Sequence, residues 1–254
     1  MANRMASMDK IVGYLDKQLL VDRFKDYSPN GLQVEGKKEV NKVATGVTAS
    51  LSVVSQAIES DADLLLVHHG YFWKGEDERI TGMKHKRLKL LLAHDLNLLA
   101  YHLPLDAHPE YGNNAQLAKK LGIVQSGLLS GDADLVGVGE FNKSMPEKEV
   151  VQLLHSVLLR KPLHIGGGCS HIKKVAWCTG GAQNYFKYAI DEGVDAYISG
   201  EVSEQNFHLA KESGVHYFAA GHHATERYGV QALGDLLSDQ FNLEHVFIDE
   251  NNPV

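Results

Sequence analysis

Cysteine is scarce in this chain: Cys169 and Cys178 are the two thiols in 254 residues. Two thiols build neither a disulfide framework nor a thiolate metal site, and the pattern fits a reducing cytosol. Both read as small buried apolar residues. Long apolar runs are missing too. No window approaches about eighteen uncharged apolar residues, so nothing reads as a membrane span. Met1 to Lys10 lacks the apolar core of a signal peptide, and a cytoplasmic protein with no membrane partner is expected. Positive charge is also in deficit, 25 Lys and Arg against 32 Asp and Glu, for a net charge of −7. That argues against bulk nucleic-acid binding, which needs a basic face. It leaves room for a small anionic substrate held locally. Histidine is the residue in unusual number: fourteen, dispersed along the chain rather than consecutive.

The stretch Leu64-Leu65-Leu66-Val67-His68-His69-Gly70 organises the rest. Four apolar residues in a row read as a strand buried on both faces. In an open α/β sheet ligands collect beyond the carboxyl ends of strands, where this run places two histidines. Further strands are expected at Lys42 to Thr48, Leu98 to Tyr101, Lys174 to Thr179, Ala196 to Ser199, Val215 to Ala220 and Leu243 to Ile248. Helices are expected between them, among them Ile11 to Arg23, Leu51 to Ser60, Met83 to His94 and Glu147 to Leu159. Asp26 to Val34 is turn chemistry with Pro29 and Asn30-Gly31. His102 to Pro109 holds two prolines that exclude a helix interior. Gly127 to Gly139 reads as glycine-punctuated β structure, Gly166 to Gly168 as a loop and a weak phosphate cradle, and His222 to Leu237 as one helix.

The order repeats. Lys42-Val43-Ala44 recurs as Lys174-Val175-Ala176, and Ala57-Ile58 as Ala189-Ile190, both at a shift of 132. A period this long means duplicated lobes rather than a solenoid. The expected fold is α/β: two pseudo-duplicated lobes, residues 8–125 and 126–254, with mixed sheets flanked by helices and a metal site between the lobes. The first seven residues stand outside that scheme.

His222 and Glu226 stand four apart, neighbours on one helical face. His102 and Asp106 repeat the spacing in the first half. Pooled at strand ends, the candidate metal ligands are His68, His69, Asp106, His222 and Glu226. Three imidazoles and two carboxylates exceed one tetrahedral ion and suit a pair of divalent ions bridged by a carboxylate. Without a thiolate the ions are Zn, Mn, Fe, Co or Ni.

With these motifs in view, the chain resembles the dinuclear-metal proteins called Nif-three-like, or GTP cyclohydrolase I type 2 homologues. The resemblance is carried by Ser28 to Glu35, Thr45 to Ser50, Val67 to Gly75, His102 to Asn114, Ser199 to Glu204 and Gly221 to Glu226. It implies two metal ions on the five residues named, a ring-shaped homohexamer, and a nucleotide-like small-molecule substrate. The implied reaction opens the imidazole ring of a purine nucleotide and releases formate, with a metal lowering the pKa of bound water to about 7. His102, His108, His223 and Glu201 are the candidates for proton transfer, or alternatively for orienting the ligands. No P-loop or arginine cluster marks a triphosphate site. Two rival readings stay open: a two-metal phosphoesterase on modified nucleotides or nucleic-acid ends, and a non-catalytic metal-binding scaffold.

Overall fold

Leu64, Leu65, Leu66 and Val67 are all fully buried, Leu64 and Leu66 in one apolar cluster and Leu65 and Val67 in another. That alternation is what a strand covered on both faces requires, since successive side chains point to opposite sides. Each such leucine is worth about 1.5–3 kcal/mol of burial, so the run commits the chain to a central strand.

The computed structural model describes residues 5–131 and 134–254. In chain order the first elements are β1 (Ala6–Ser7), α1 (Met8–Leu19), β2 (Gly31–Val34), β3 (Glu39–Val40), β4 (Lys42–Thr48) and α2 (Leu51–Glu59). Then come β5 (Leu64–His69), α3 (Gly82–Ala93), β6 (Asn97–Ala100), α4 (Leu103–Ala107) and α5 (Asn113–Leu121). They are followed by β7 (Ile123–Leu128), β8 (Gly137–Pro146), α6 (Glu147–Leu158), β9 (Leu163–Ile165), β10 (His171–Cys178) and α7 (Phe186–Asp191). Last are β11 (Ala196–Ser199), α8 (Glu204–Ser213), β12 (His216–Ala219), α9 (His222–Thr225), α10 (Arg227–Phe241) and β13 (Glu244–Phe247).

These elements form two compact units, residues 1–112 with 229–251, and residues 113–228 with 252–254. The halves expected at 8–125 and 126–254 are thus divided otherwise. The chain leaves the first unit before α5 and returns to it within α10, because Val230, Leu233 and Leu237 bury against α1 and the β5 face. Sequence periodicity shows that such a helix is amphipathic but not which sheet it covers.

The first unit carries a five-stranded sheet in the order β13-β4-β5-β6-β2. Its β13, β4, β5 and β6 run parallel, and β2 closes the edge antiparallel to β6. Val53, Val54 and Ala57 of α2 cover one face, where the Ser50 side chain caps the helix by accepting from the Val53 amide at 3.1 Å. The second unit carries a six-stranded mixed sheet, β7-β8-β10-β11-β12-β9, with β10, β11 and β12 parallel. Val175 and Trp177 face the α5 and α6 side, Ala176 and Cys178 the α7 side.

The duplication is visible in the backbone. Val43 pairs with Leu64 in the first sheet and Val175 with Ala196 in the second, every residue shifted by 132. Several local details differ from expectation. Ala6 and Ser7 pair with Val40 and Glu39, so the fold starts before residue 8. Gly31–Val34 is a strand rather than pure turn. Leu103–Ala107 is a short helix after all, since its Pro104 sits in the first turn, where the missing N–H is harmless. The helix expected over His222 to Leu237 breaks at Glu226 into α9 and α10. Strands β7 and β8 enter the expected Gly127 to Gly139 segment from either side, while residues 132 and 133 lie outside the described residues. No described helix is long and apolar enough to cross a membrane.

Candidate metal centre

In the first unit β5 ends on His68 and His69, and the chain after β6 delivers His102 and then Asp106. His68 is fully buried, and its Nδ1–H donates to the Tyr101 carbonyl at 2.9 Å. A carbonyl only accepts, so the lone pair of His68 is left on Nε2. That nitrogen lies 3.5 Å from Asp106 Oδ1. His69 Nδ1 lies 3.1 Å from Thr48 Oγ1. His102 Nδ1 donates to Asp26 Oδ1 at 2.7 Å. Ligand-capable atoms of His68, His69 and His102 all fall within 4.8 Å of one another.

Asp26 is built into the turn that holds this cluster. Its Oδ2 accepts from the Leu103 amide and from Asn30 Nδ2, each at 2.9 Å. Burial works to raise its pKa, but the bonds from His102 and Asn30 outweigh it and hold the carboxyl down at about 2. Asp26 is therefore an anion at neutral pH, keeping the His102 proton on Nδ1.

The second unit presents a shorter set. After β12 the chain turns through Gly221 into α9, and Glu226 leaves the helix at φ −104°. The four-residue spacing still holds: His222 Nε2 lies 3.2 Å from Glu226 Oε2. His222 Nδ1 donates to Glu201 Oε1 at 2.7 Å, and Gln183 Nε2 donates to Glu201 Oε2 at 3.1 Å. Burial pulls the His222 pKa down, yet Glu226 and Glu201 prevail and raise it to about 9. The Glu226 seat depends on Gly180, at φ +65°, where a Cβ would collide with Glu226 Oε1. Thr225 Oγ1 accepts from the Gly180 amide at 3.1 Å and locks that turn.

The donor chemistry fits a divalent metal. Metal-bound histidines characteristically give their second ring N–H to a carbonyl or carboxylate, which fixes tautomer and orientation. Tyr101, Asp26 and Glu201 do this for His68, His102 and His222, and in His68 and His222 the other nitrogen faces a carboxylate. A nitrogen and oxygen set without thiolate belongs to the borderline first-row ions.

The other expected residues fall elsewhere. His108 is the C-terminal neighbour of α4; its Nδ1 accepts from the Glu110 and Tyr111 amides, and its ring stacks on Tyr111. That bond pair closes the turn between α4 and α5. His223 is buried beside His222, and its amide donates to the Val254 carbonyl. Glu201 holds His222 rather than standing apart as an acid. The Gly166 to Gly168 loop cannot cradle phosphate with all its amides, since Gly167 N–H donates to His216 Nδ1 and Gly168 N–H to the Gly214 carbonyl. Sequence reasoning missed Asp26, Thr48, Gly180 and Thr225. Only Gly180, directly after a strand, carried any signal.

A second group, Glu147, His164 and His216, also brings three donors within 4.8 Å. Its geometry is that of a hydrogen-bonded network. His164 Nε2 and His216 Nδ1 are 2.9 Å apart in rings inclined by only 11°, with centroids 5.2 Å apart, so the two nitrogens face each other in line. His216 Nδ1 already accepts from Gly167, and Nε2 donates to the Cys169 carbonyl at 2.8 Å. An ion between two nitrogens that close has no room.

Comparison with known proteins gives the family. The Duf34/NIF3 (NGG1p interacting factor 3) pattern matches residues 6–253. The chain belongs to this family. Within it, a Pseudomonas aeruginosa protein named GTP cyclohydrolase 1 type 2 homolog is 51% identical, over 98% of this chain and 99% of its own length. A solved structure of protein ybgI, described as of unknown function, superposes with a TM-score of 0.95 at 49% identity, covering 98% of this chain and all of that one. A Thermus thermophilus protein, TTHA1606, follows at 0.89 and 37% identity, with 98% and 100% covered. Family membership supports the mixed α/β fold and a metal-associated site.

Proposed function

We propose that the protein is a dinuclear-metal hydrolase that binds two divalent cations through His68, His69, Asp106, His222 and Glu226 and opens the imidazole ring of a purine nucleotide. The observation that carries the reading is the paired geometry of His68 and His222. Each has its Nδ1 proton tied to a fixed acceptor and its Nε2 at 3.5 Å or 3.2 Å from a carboxylate. An imidazole and carboxylate set of this kind is the donor set that a borderline divalent ion takes. Bound ions would supply a Lewis acid and a water that ionises near neutral pH.

The residues around the donors have separate tasks. Asp26, the Tyr101 carbonyl and Glu201 hold three imidazoles in one tautomer. His102, with a ring nitrogen within 4.8 Å of the His68 and His69 donors, keeps the proton-transfer role in this proposal. Glu201 keeps His222 Nδ1 protonated and so leaves Nε2 to bind. The substrate class rests on the name of the relatives. In the reaction, water adds across C8 of the purine, a C8–N bond breaks, and a second water releases C8 as formate.

The test is direct. Protein purified without added metal is assayed for metal content, loaded with each candidate ion, and incubated with GTP while formate is followed. Formate release that disappears in Glu226→Gln is expected. Turnover of phosphoesters with none of GTP would give the phosphoesterase reading, and bound metal with no turnover of any panel substrate would give the scaffold. The homohexamer implied by the family resemblance is likewise a proposal, checked by sedimentation of the full chain.

A further inference from the structure

Directly after His69 the chain runs Gly70-Tyr71-Phe72-Trp73-Lys74-Gly75, three aromatics and a cation in a loop. Loops positioned by a rigid scaffold carry a disproportionate share of binding residues. Only Tyr71 is a core residue here, buried with its hydroxyl donating to the Ala49 carbonyl at 2.7 Å. Trp73 is half-buried, its ring centroid 5.0 Å from that of His102 and 6.0 Å from that of His69. Lys74 is exposed beside it.

The loop is rigidly built. Trp73 Nε1–H donates to the Gly70 carbonyl at 3.1 Å, which sets the plane of the indole. The Trp73 amide donates to Glu76 Oε2 at 3.2 Å, the Glu76 amide returns to the Trp73 carbonyl at 2.9 Å, and Lys84 pairs with Glu76 at 3.4 Å. The Tyr71 amide donates to Gln33 Oε1 at 2.7 Å, while Gln33 Nε2 donates back to the Tyr71 carbonyl. Between these anchors Phe72 is held at φ +64°. That left-handed conformation costs a bulky residue energy and gathers at ligand-binding sites.

We propose that Trp73, pinned beside the His69 and His102 imidazoles, is the stacking platform for the planar ring of the substrate, with Lys74 meeting its phosphates. The proposal rests on the purine-nucleotide reading and adds the residue that selects an aromatic substrate. The entropy of ordering the indole is spent during folding, so a planar ring meets a face already in place. Stacking tolerates any base, so Trp73 selects for planarity and size, and the histidine-rich donors beyond it for what is cut.

The chain has one other tryptophan, Trp177, fully buried in the second unit, so Trp73 is the indole within reach of a ligand. Metal-loaded protein is titrated with GTP, and with inorganic tripolyphosphate as the non-aromatic control, while tryptophan emission is recorded. GTP should quench wild type and not Trp73→Phe, and tripolyphosphate should quench neither. By calorimetry Trp73→Ala should bind GTP about tenfold to a hundredfold more weakly, the range expected for one stacked base. Trp73→Phe should recover most of that loss, and metal content should be the same in all three. GTP bound without quenching, or with equal affinity by Trp73→Ala, overturns the platform while leaving the hydrolase reading intact. Failure of wild type to bind GTP overturns the platform and the GTP-hydrolase reading together, whereas the two outcomes above overturn the platform alone.

Discussion

Asp63 and Asp195 occupy the same place in the two halves. Asp63 Oδ2 accepts from the amides of Asn41 and Lys42, and its own amide donates to the Lys42 carbonyl. Asp195 Oδ2 accepts from Lys173 and Lys174, and its amide donates to the Lys174 carbonyl. The strand ends, by contrast, have diverged. Where the first unit has His68-His69, the second has Gly200-Glu201; the histidines offer donors, whereas Glu201 orients His222. Gly200 has become obligatory, since a Cβ there would lie 2.5 Å from the Gly180 carbonyl and 2.8 Å from the His222 Cα. The start of a duplicated strand keeps what the fold needs, and its end is free to change chemistry.

The largest effects should come from the two cores and would show whether the units unfold together. Trp177→Ala removes a fully buried indole whose Nε1–H donates to the Asn114 carbonyl, and should cost about 3–5 kcal/mol. Leu66→Ala, at a fully buried position in the first unit, should cost about 2–5 kcal/mol. Denaturant melts of Leu66→Ala followed by tryptophan emission on a Trp73→Phe background, where Trp177 is the remaining indole, check the coupling: an unchanged transition would mean that the units melt independently.

Metal affinity sharpens the contrast at the strand ends. Asp26→Asn in one unit and Glu201→Gln in the other should each weaken metal binding about 10–100-fold, without removing a ligand. Equal losses would mean that the two carboxylates play matching parts despite standing on unrelated segments. No loss in either would remove the orienting role altogether.

The shared clamp should give smaller effects. Asp63→Ala and Asp195→Ala each strand two backbone N–H groups and should cost about 1–3 kcal/mol in chemical melts. Costs that differ widely would show that the equivalence is geometric only. For Asp63 burial works against ionisation, but Lys37 and the two amides prevail and lower its pKa. Its contribution is thus complete above the ordinary carboxylate range and fades as pH falls below it.

The smallest effect is confined to the second unit. The His222 pKa of about 9 lies above the usual 6.5. Its protonated form therefore stabilises the metal-free protein fully below about pH 6.5, and that stabilisation is lost as pH rises through about 9. The Tm of chelator-treated protein should decline across that window, with a shallower decline in Glu201→Gln. Metal binding at neutral pH should release the His222 proton, measurable by calorimetry in buffers of different ionisation enthalpy.

Much of the fold was legible because its signals are local. The Leu64 to Val67 run and each arm of the repeat are patterns of a few residues, and the structure follows them. Asp26 was hidden because nothing in a turn beginning Asp-Tyr-Ser-Pro says that the carboxylate will meet His102, 76 positions away. His108 misled for the converse reason: it shares a segment with Asp106, yet its ring nitrogen accepts from the Glu110 and Tyr111 amides in the turn beyond α4. The break at Glu226 escaped the helical period, which does not register a single residue leaving αR.

The sequence by itself determined the parallel strands of both sheets, their duplication and the residue types able to hold a metal, since alternation and spacing are properties of neighbours in the chain. Only the tertiary structure decided which sheet α10 covers, which nitrogen of each imidazole carries the proton, and that Glu147, His164 and His216 form a closed network. Those outcomes depend on acceptors and apolar faces brought close from distant parts of the chain, and no local pattern encodes a distance through space.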